Sequence, residues 1–130
     1  MNPDLKLRLR PLHQINRQEQ AFLRYLIEEL GEEALLGSKE ATEVDFHFTY
    51  IENGEDDSAY VTGDGETFDL YLDKRMPFGM VVDFILHELA HIHSWDRADE
   101  EEDHCDEFGK SYALLYRLYL YLYDNFWSIP

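Results

Sequence analysis

Between residues 17 and 30, Ala21, Phe22, Tyr25, Leu26 and Leu30 return every three or four positions among arginine, glutamine and glutamate. That period predicts an amphipathic helix. Asn16, with Glu19 three places on, predicts its capped start and Gly31 its end, while Leu35 and Leu36 extend the packing before Gly37 and Ser38. Upstream, Leu5, Leu7 and Leu9 alternate with Lys6, Arg8 and Arg10, which permits a short strand that Pro11 interrupts.

Beyond residue 43 the period changes to two. Val44, Phe46, Phe48 and Tyr50 alternate with Asp45, His47 and Thr49, Ala59 to Thr62 read as a second short strand, and Phe68, Leu70 and Leu72 alternate with Thr67, Asp69 and Tyr71. Asn53-Gly54 and Gly63-Asp64-Gly65 supply turns, and connections this short predict antiparallel pairing. After Pro77, Phe78, Val81, Val82, Phe84, Ile85, Leu86, Leu89, Ala90 and Ile92 make a helix apolar nearly all round, which belongs at the centre of a domain. A last helix over residues 104–123, with Asp103 as its cap, offers Phe108, Tyr112, Leu115, Tyr116, Tyr119, Leu122 and Tyr123 as a broad core-facing surface. The pattern predicts an α+β fold. A small, three-stranded, mainly antiparallel sheet packs against an N-terminal helix, the central helix and a C-terminal helix, in one domain over residues 1–130.

Composition narrows the partners. The 130 residues are 45% hydrophobic and 15% aromatic, enough for a packed core. Eleven Lys and Arg stand against 28 Asp and Glu, a formal net charge of -17. Such a field repels phosphates and anionic lipids, so neither direct nucleic-acid binding nor membrane association is expected, whereas a basic protein partner suits it. A solvated surface, adaptation to high salt and mimicry of the DNA backbone all remain readings of this acidity. The single cysteine, Cys105, excludes an internal disulfide and a four-cysteine zinc ribbon within the chain. Without a recognisable secretory signal or a bilayer-length apolar run, the chain reads as soluble and cytoplasmic.

The central helix has four exceptions to its apolar run: Asp83, His87, Glu88 and His91. His87-Glu88-Leu89-Ala90-His91 is an H-E-x-x-H motif whose histidines, four apart, project from one face and can share one zinc ion. Glu88 sits beside that ion rather than on it, placed to take a proton from water that the metal polarises. Asp83, one turn earlier, can orient the His87 ring. Candidates for a third ligand are Asp96, Asp99, Glu101, Glu102, Asp103 and His104, because His93 is only two places from His91 and points off the metal face. His104 is preferred, since twelve intervening residues suffice to turn the chain and bring an imidazole back over the first helix. Arg97 can pair with surrounding acids and close that loop.

The stretch from Phe84 to Leu115 resembles the catalytic core of small SprT-like zinc metallopeptidases, where the H-E-x-x-H helix is followed by H-G-x-x-F-x-x-x-Y. The corresponding segment here is His104-Cys105-Asp106-Glu107-Phe108-Gly109-Lys110-Ser111-Tyr112, with Cys105 in place of the glycine. The resemblance implies Zn²⁺ on His87, His91 and His104, Glu88 as the catalytic base, and Phe108 and Tyr112 as packing positions. It also implies a peptide or protein substrate, aligned by pairing with an exposed edge of the strand over Thr67 to Asp73. The acidic charge and the absent ribbon separate this chain from the DNA-directed members, so the hydrolase core carries over and the DNA-repair role does not. The alternative is an acidic interaction or DNA-mimic protein whose zinc site is purely structural.

Overall fold

The computed structural model describes residues 6–9, 15–51, 59–97 and 105–128. The elements are β1 (Lys6–Leu9), α1 (Arg17–Leu36), β2 (Glu43–Thr49), β3 (Ala59–Gly63), β4 (Thr67–Asp73), α2 (Phe78–His93) and α3 (Asp106–Trp127).

α1 begins as its sequence predicts. The Asn16 carboxamide oxygen accepts the Glu19 N–H at 2.7 Å, and Glu19 accepts the Asn16 N–H in return. The helix does not stop at Gly31. A glycine inside a helix costs about 1 kcal/mol, but the next turn buries Ala34 and Leu35 completely enough to outweigh it. The chain leaves the helix at Gly37, whose N–H bonds back to Glu33 and Ala34. That glycine answers a close approach: a Cβ there would lie 2.2 Å from Cδ2 of the His93 ring. Gly37→Ala is therefore expected to destabilise the fold by about 1–3 kcal/mol, the usual cost of overpacking. Urea denaturation checks this, and a change below about 0.5 kcal/mol, as at an ordinary surface position, would contradict it.

The sheet order is β1-β2-β4-β3. β1 pairs with β2, and β2 with β4, in parallel, while β3 pairs with β4 antiparallel. The α+β class holds, but the sheet is four-stranded and mixed rather than three-stranded and mainly antiparallel. The local-turn argument succeeds only between β3 and β4. There Asp64 Oδ1 accepts the N–H groups of Glu66 and Thr67, both at 2.9 Å, and Gly65 takes φ +98°. Elsewhere the connections are too long to dictate a hairpin. α1 separates β1 from β2, a helical crossover that permits a parallel pair. Residues 50–58 separate β2 from β3, and β4 pairs between the two.

β4 is hydrogen-bonded on both sides, so no incoming strand can pair with it, and the expected substrate alignment along Thr67 to Asp73 fails. Among the described residues, the outer edge beside β4 belongs to β3.

Alternation on the strands builds the core. Val44, Phe46 and Phe48 of β2 and Phe68, Leu70 and Leu72 of β4 are buried in one cluster with Phe22, Leu26 and Leu30 of α1 and Ile85, Leu86 and Leu89 of α2. α1 and α2 contact the sheet, and α3 packs on those two helices rather than on the strands. α3 begins at Asp106, two residues later than the sequence predicts, with Asp106 and Glu107 near the positive end of its dipole. It also runs on to Trp127, because Phe126 and Trp127 close on Phe22 at centroid distances of 5.0 and 5.1 Å. Its tyrosine-rich face is not all core. Leu115 and Leu122 are buried, whereas Tyr116, Tyr123 and Tyr121 are exposed, the last by 63%. Asp103 lies outside the described residues.

The junction from β4 to α2 is held by charge. Asp73 Oδ1 accepts the Arg75 N–H and Nε–H at 2.9 Å, and Oδ2 lies 2.6 Å from an Arg75 guanidinium nitrogen. The Arg75 side chain is the main cause that lowers the Asp73 pKa from 3.8 to about 2. A carboxylate depressed on folding contributes stability above its unfolded pKa, and that contribution disappears as pH falls through its folded value. Acid denaturation between about pH 4 and pH 2 is thus expected to be shallower in Asp73→Asn than in wild type. Parallel curves across that window would contradict the assignment.

Candidate metal centre

α2 owes its position to its apolar residues, and the motif rides on it. Val82, Ile85, Leu86 and Leu89 bury the helix, leaving His87 and His91 on the flank that meets α3. Two imidazoles on one zinc, at about 2.0–2.1 Å per nitrogen and a near-tetrahedral angle, hold their ring centres about 5 Å apart. The His87 and His91 rings lie 5.0 Å apart. That separation is compatible with one shared zinc ion.

Phe108 of α3 covers both rings, at 5.1 Å from His87 and 4.6 Å from His91. The packing role expected of Phe108 is therefore observed, and it brings the first turn of α3 onto the motif. Glu88 is buried, with 6% of its surface exposed. A carboxylate withdrawn this far from water is costly unless polar or charged groups meet it. His104, Asp99, Glu101, Glu102 and Asp103 lie outside the described residues.

Asp96, the one third-ligand candidate among the described residues, is engaged elsewhere: its Oδ2 accepts the Lys39 N–H at 3.2 Å. Asp83 is exposed, and its negative charge, after burial, helps to raise the Tyr112 hydroxyl pKa. His93 is off the metal face, as its spacing implies. Its Nδ1 accepts from the Ser111 hydroxyl at 2.7 Å and stands 3.1 Å from an Arg97 guanidinium nitrogen. Burial first, then Arg97, lowers the His93 pKa, consistent with a neutral ring that accepts. Arg97 also donates to the carbonyls of His93 and Gly37 and lies 3.7 Å from Glu107, a pairing with an acid that its sequence setting suggests, while the loop it is expected to close lies from residue 98 onward outside the described residues. Glu107 pairs with Lys110 as well. This network ties the ends of α1 and α2 to α3 directly behind the motif.

A second cluster escapes the sequence reading. On the sheet face away from the helices, Asp45, His47 and Asp69 bring three ligand-type atoms within 4.8 Å of one another. His47 Nε2 already meets Asp69 Oδ1 at 2.8 Å, and its ring stacks on Tyr71 at 4.7 Å. The signal lay in the parallel β2–β4 register, which sets Asp45 beside Asp69 and His47 beside Tyr71. A sequence pattern does not contain that register.

No helix among the described residues is long and apolar enough to cross a membrane. No family model matches the chain, and neither does any curated protein or solved structure.

Proposed function

We propose that this protein is a zinc-dependent peptidase of the SprT-like kind, with His87, His91 and His104 as ligands and Glu88 as the base. The observation that carries the proposal is the pair of imidazoles spaced for one ion, with a buried glutamate between them in sequence. Phe108, four residues after His104, lies against both rings, which supports His104 as the third ligand. Zinc held there supplies a Lewis acid that acidifies water and stabilises charge on a carbonyl oxygen. Glu88 takes the proton as water attacks the peptide carbonyl and returns it to the departing nitrogen. A closed structural site has no use for a base at that position.

Main-chain alignment of the substrate falls to the outer edge of β3, which packs against α2. An extended peptide added there would run beside the motif. The field of the chain favours neutral or basic substrates, and a basic protein as partner. The test is cleavage of a mixed peptide library, read by mass spectrometry. Products that appear with zinc, vanish with a chelator and return on zinc addition support the reading. A zinc-loaded protein that cleaves nothing overturns it in favour of a structural site.

A further inference from the structure

A cavity of about 390 Å³ opens one helical turn beyond the motif. Ser94 N–H bonds to Ala90 and Trp95 N–H to Ile92, so the winding of α2 continues to Trp95, four residues after His91. Trp95 forms one wall, the β3–β4 turn at Asp64 and Gly65 another, and the segment from Ser38 to Glu40 a third.

We infer that this cavity binds an organic cation, an alkylammonium or guanidinium group, against the Trp95 indole and the carboxylates of Asp64 and Asp96. Its volume falls within the range of small-ligand sites. The carboxylates of Asp64, Asp96 and Glu40 outnumber the one ammonium, that of Lys39, so the cavity is selective for positive charge. Two of the acids are fixed in direction before any ligand arrives. Asp64 spends Oδ1 on two backbone N–H groups, and Asp96 spends Oδ2 on one. The indole is fixed as well, edge-on to Phe68 at 5.1 Å, and 39% of Trp95 remains exposed. Tryptophan offers the best side-chain face for a cation.

Ser38, with only 6% of its surface exposed, lines the cavity as well. Its hydroxyl can accept an N–H from an entering cation. Gly65 holds this turn against the indole through its φ of +98°, a backbone conformation that L side chains rarely adopt.

Two sources share this chemistry: a free amine or guanidine, and a lysine or arginine side chain of a peptide. The binding claim stands without the peptidase reading, and only use as a substrate subsite rests on it. The cavity adjoins the turn that ends β3, so a peptide along that edge could place a basic side chain in it.

The test is titration of zinc-loaded protein at constant ionic strength with ethylguanidinium, with N-ethylurea as the neutral isostere, followed by the Trp95 indole N–H signal. The Trp127 indole serves as the fold control. A saturable shift with ethylguanidinium and none with the urea is expected, and Asp64→Asn with Asp96→Asn should weaken it about tenfold or more. Equal shifts with both probes, undiminished binding in the double variant, or a shift reproduced by sodium or calcium chloride would each overturn the inference. Arginine peptides and their citrulline counterparts separate the sources. Tighter binding of the arginine peptide than of ethylguanidinium assigns a side chain, and equal binding assigns a free cation. Ethylguanidinium binding without any peptide cleavage keeps the cavity and removes the peptidase. Cleavage with no arginine preference and no indole shift does the reverse.

Discussion

Glu88→Gln should lower kcat/KM for any peptide the wild type cleaves by about a hundred- to ten-thousandfold, with zinc content unchanged. The substitution keeps size and hydrogen-bonding capacity but removes the proton acceptor, and general-base catalysis contributes roughly that factor. The buried setting of Glu88 makes the isosteric change informative, since glutamine fills the same space between α2 and its neighbours. Retained zinc separates loss of the base from loss of the ligand set. Full activity in Glu88→Gln, measured at saturating zinc, would remove Glu88 from the chemistry.

Phe22→Ala should cost about 3–5 kcal/mol, the range for truncating a buried phenylalanine. Phe22 is 1% exposed and stands where three helices meet. Its ring lies 6.4 Å from Phe78 at the start of α2, and 5.7, 5.0 and 5.1 Å from Tyr123, Phe126 and Trp127 of α3. Edge-on and tilted contacts of this kind add to the area term. Since α3 touches no strand, this aromatic cluster is a main anchor of its C-terminal half. Urea denaturation gives the value, and a loss under about 1 kcal/mol would show that the end of α3 adds little to the fold.

What the sequence discloses follows the range of each signal. The Asn16–Glu19 box, the alternating strands and the apolar run of α2 are local, and each element forms where its pattern predicts. Gly31 misleads because a local preference of about 1 kcal/mol yields to the burial of Ala34 and Leu35, which depends on distant partners. Strand order misleads for the same reason. Nothing local says that β4 pairs between β2 and β3, and with that register hidden both the true edge strand and the Asp45–His47–Asp69 cluster are invisible.

The motif is the opposite case. Four-residue spacing on a helix fixes which side His87 and His91 share, so the proposed ligand pair is legible before any fold. The proposed third ligand is not, because it depends on how α3 returns. Phe108 against both imidazoles shows where α3 begins relative to the motif, while Asp96 turns instead to the Lys39 backbone.

Elemental analysis of protein purified without added metal bears on all of this. About one zinc per chain is expected in wild type, Glu88→Gln and Asp96→Ala, with a large loss in His87→Ala, His91→Ala and His104→Ala. Wild-type protein that holds no zinc even when zinc is supplied, or that keeps it in His87→Ala, would contradict the assignment of the metal to this helix.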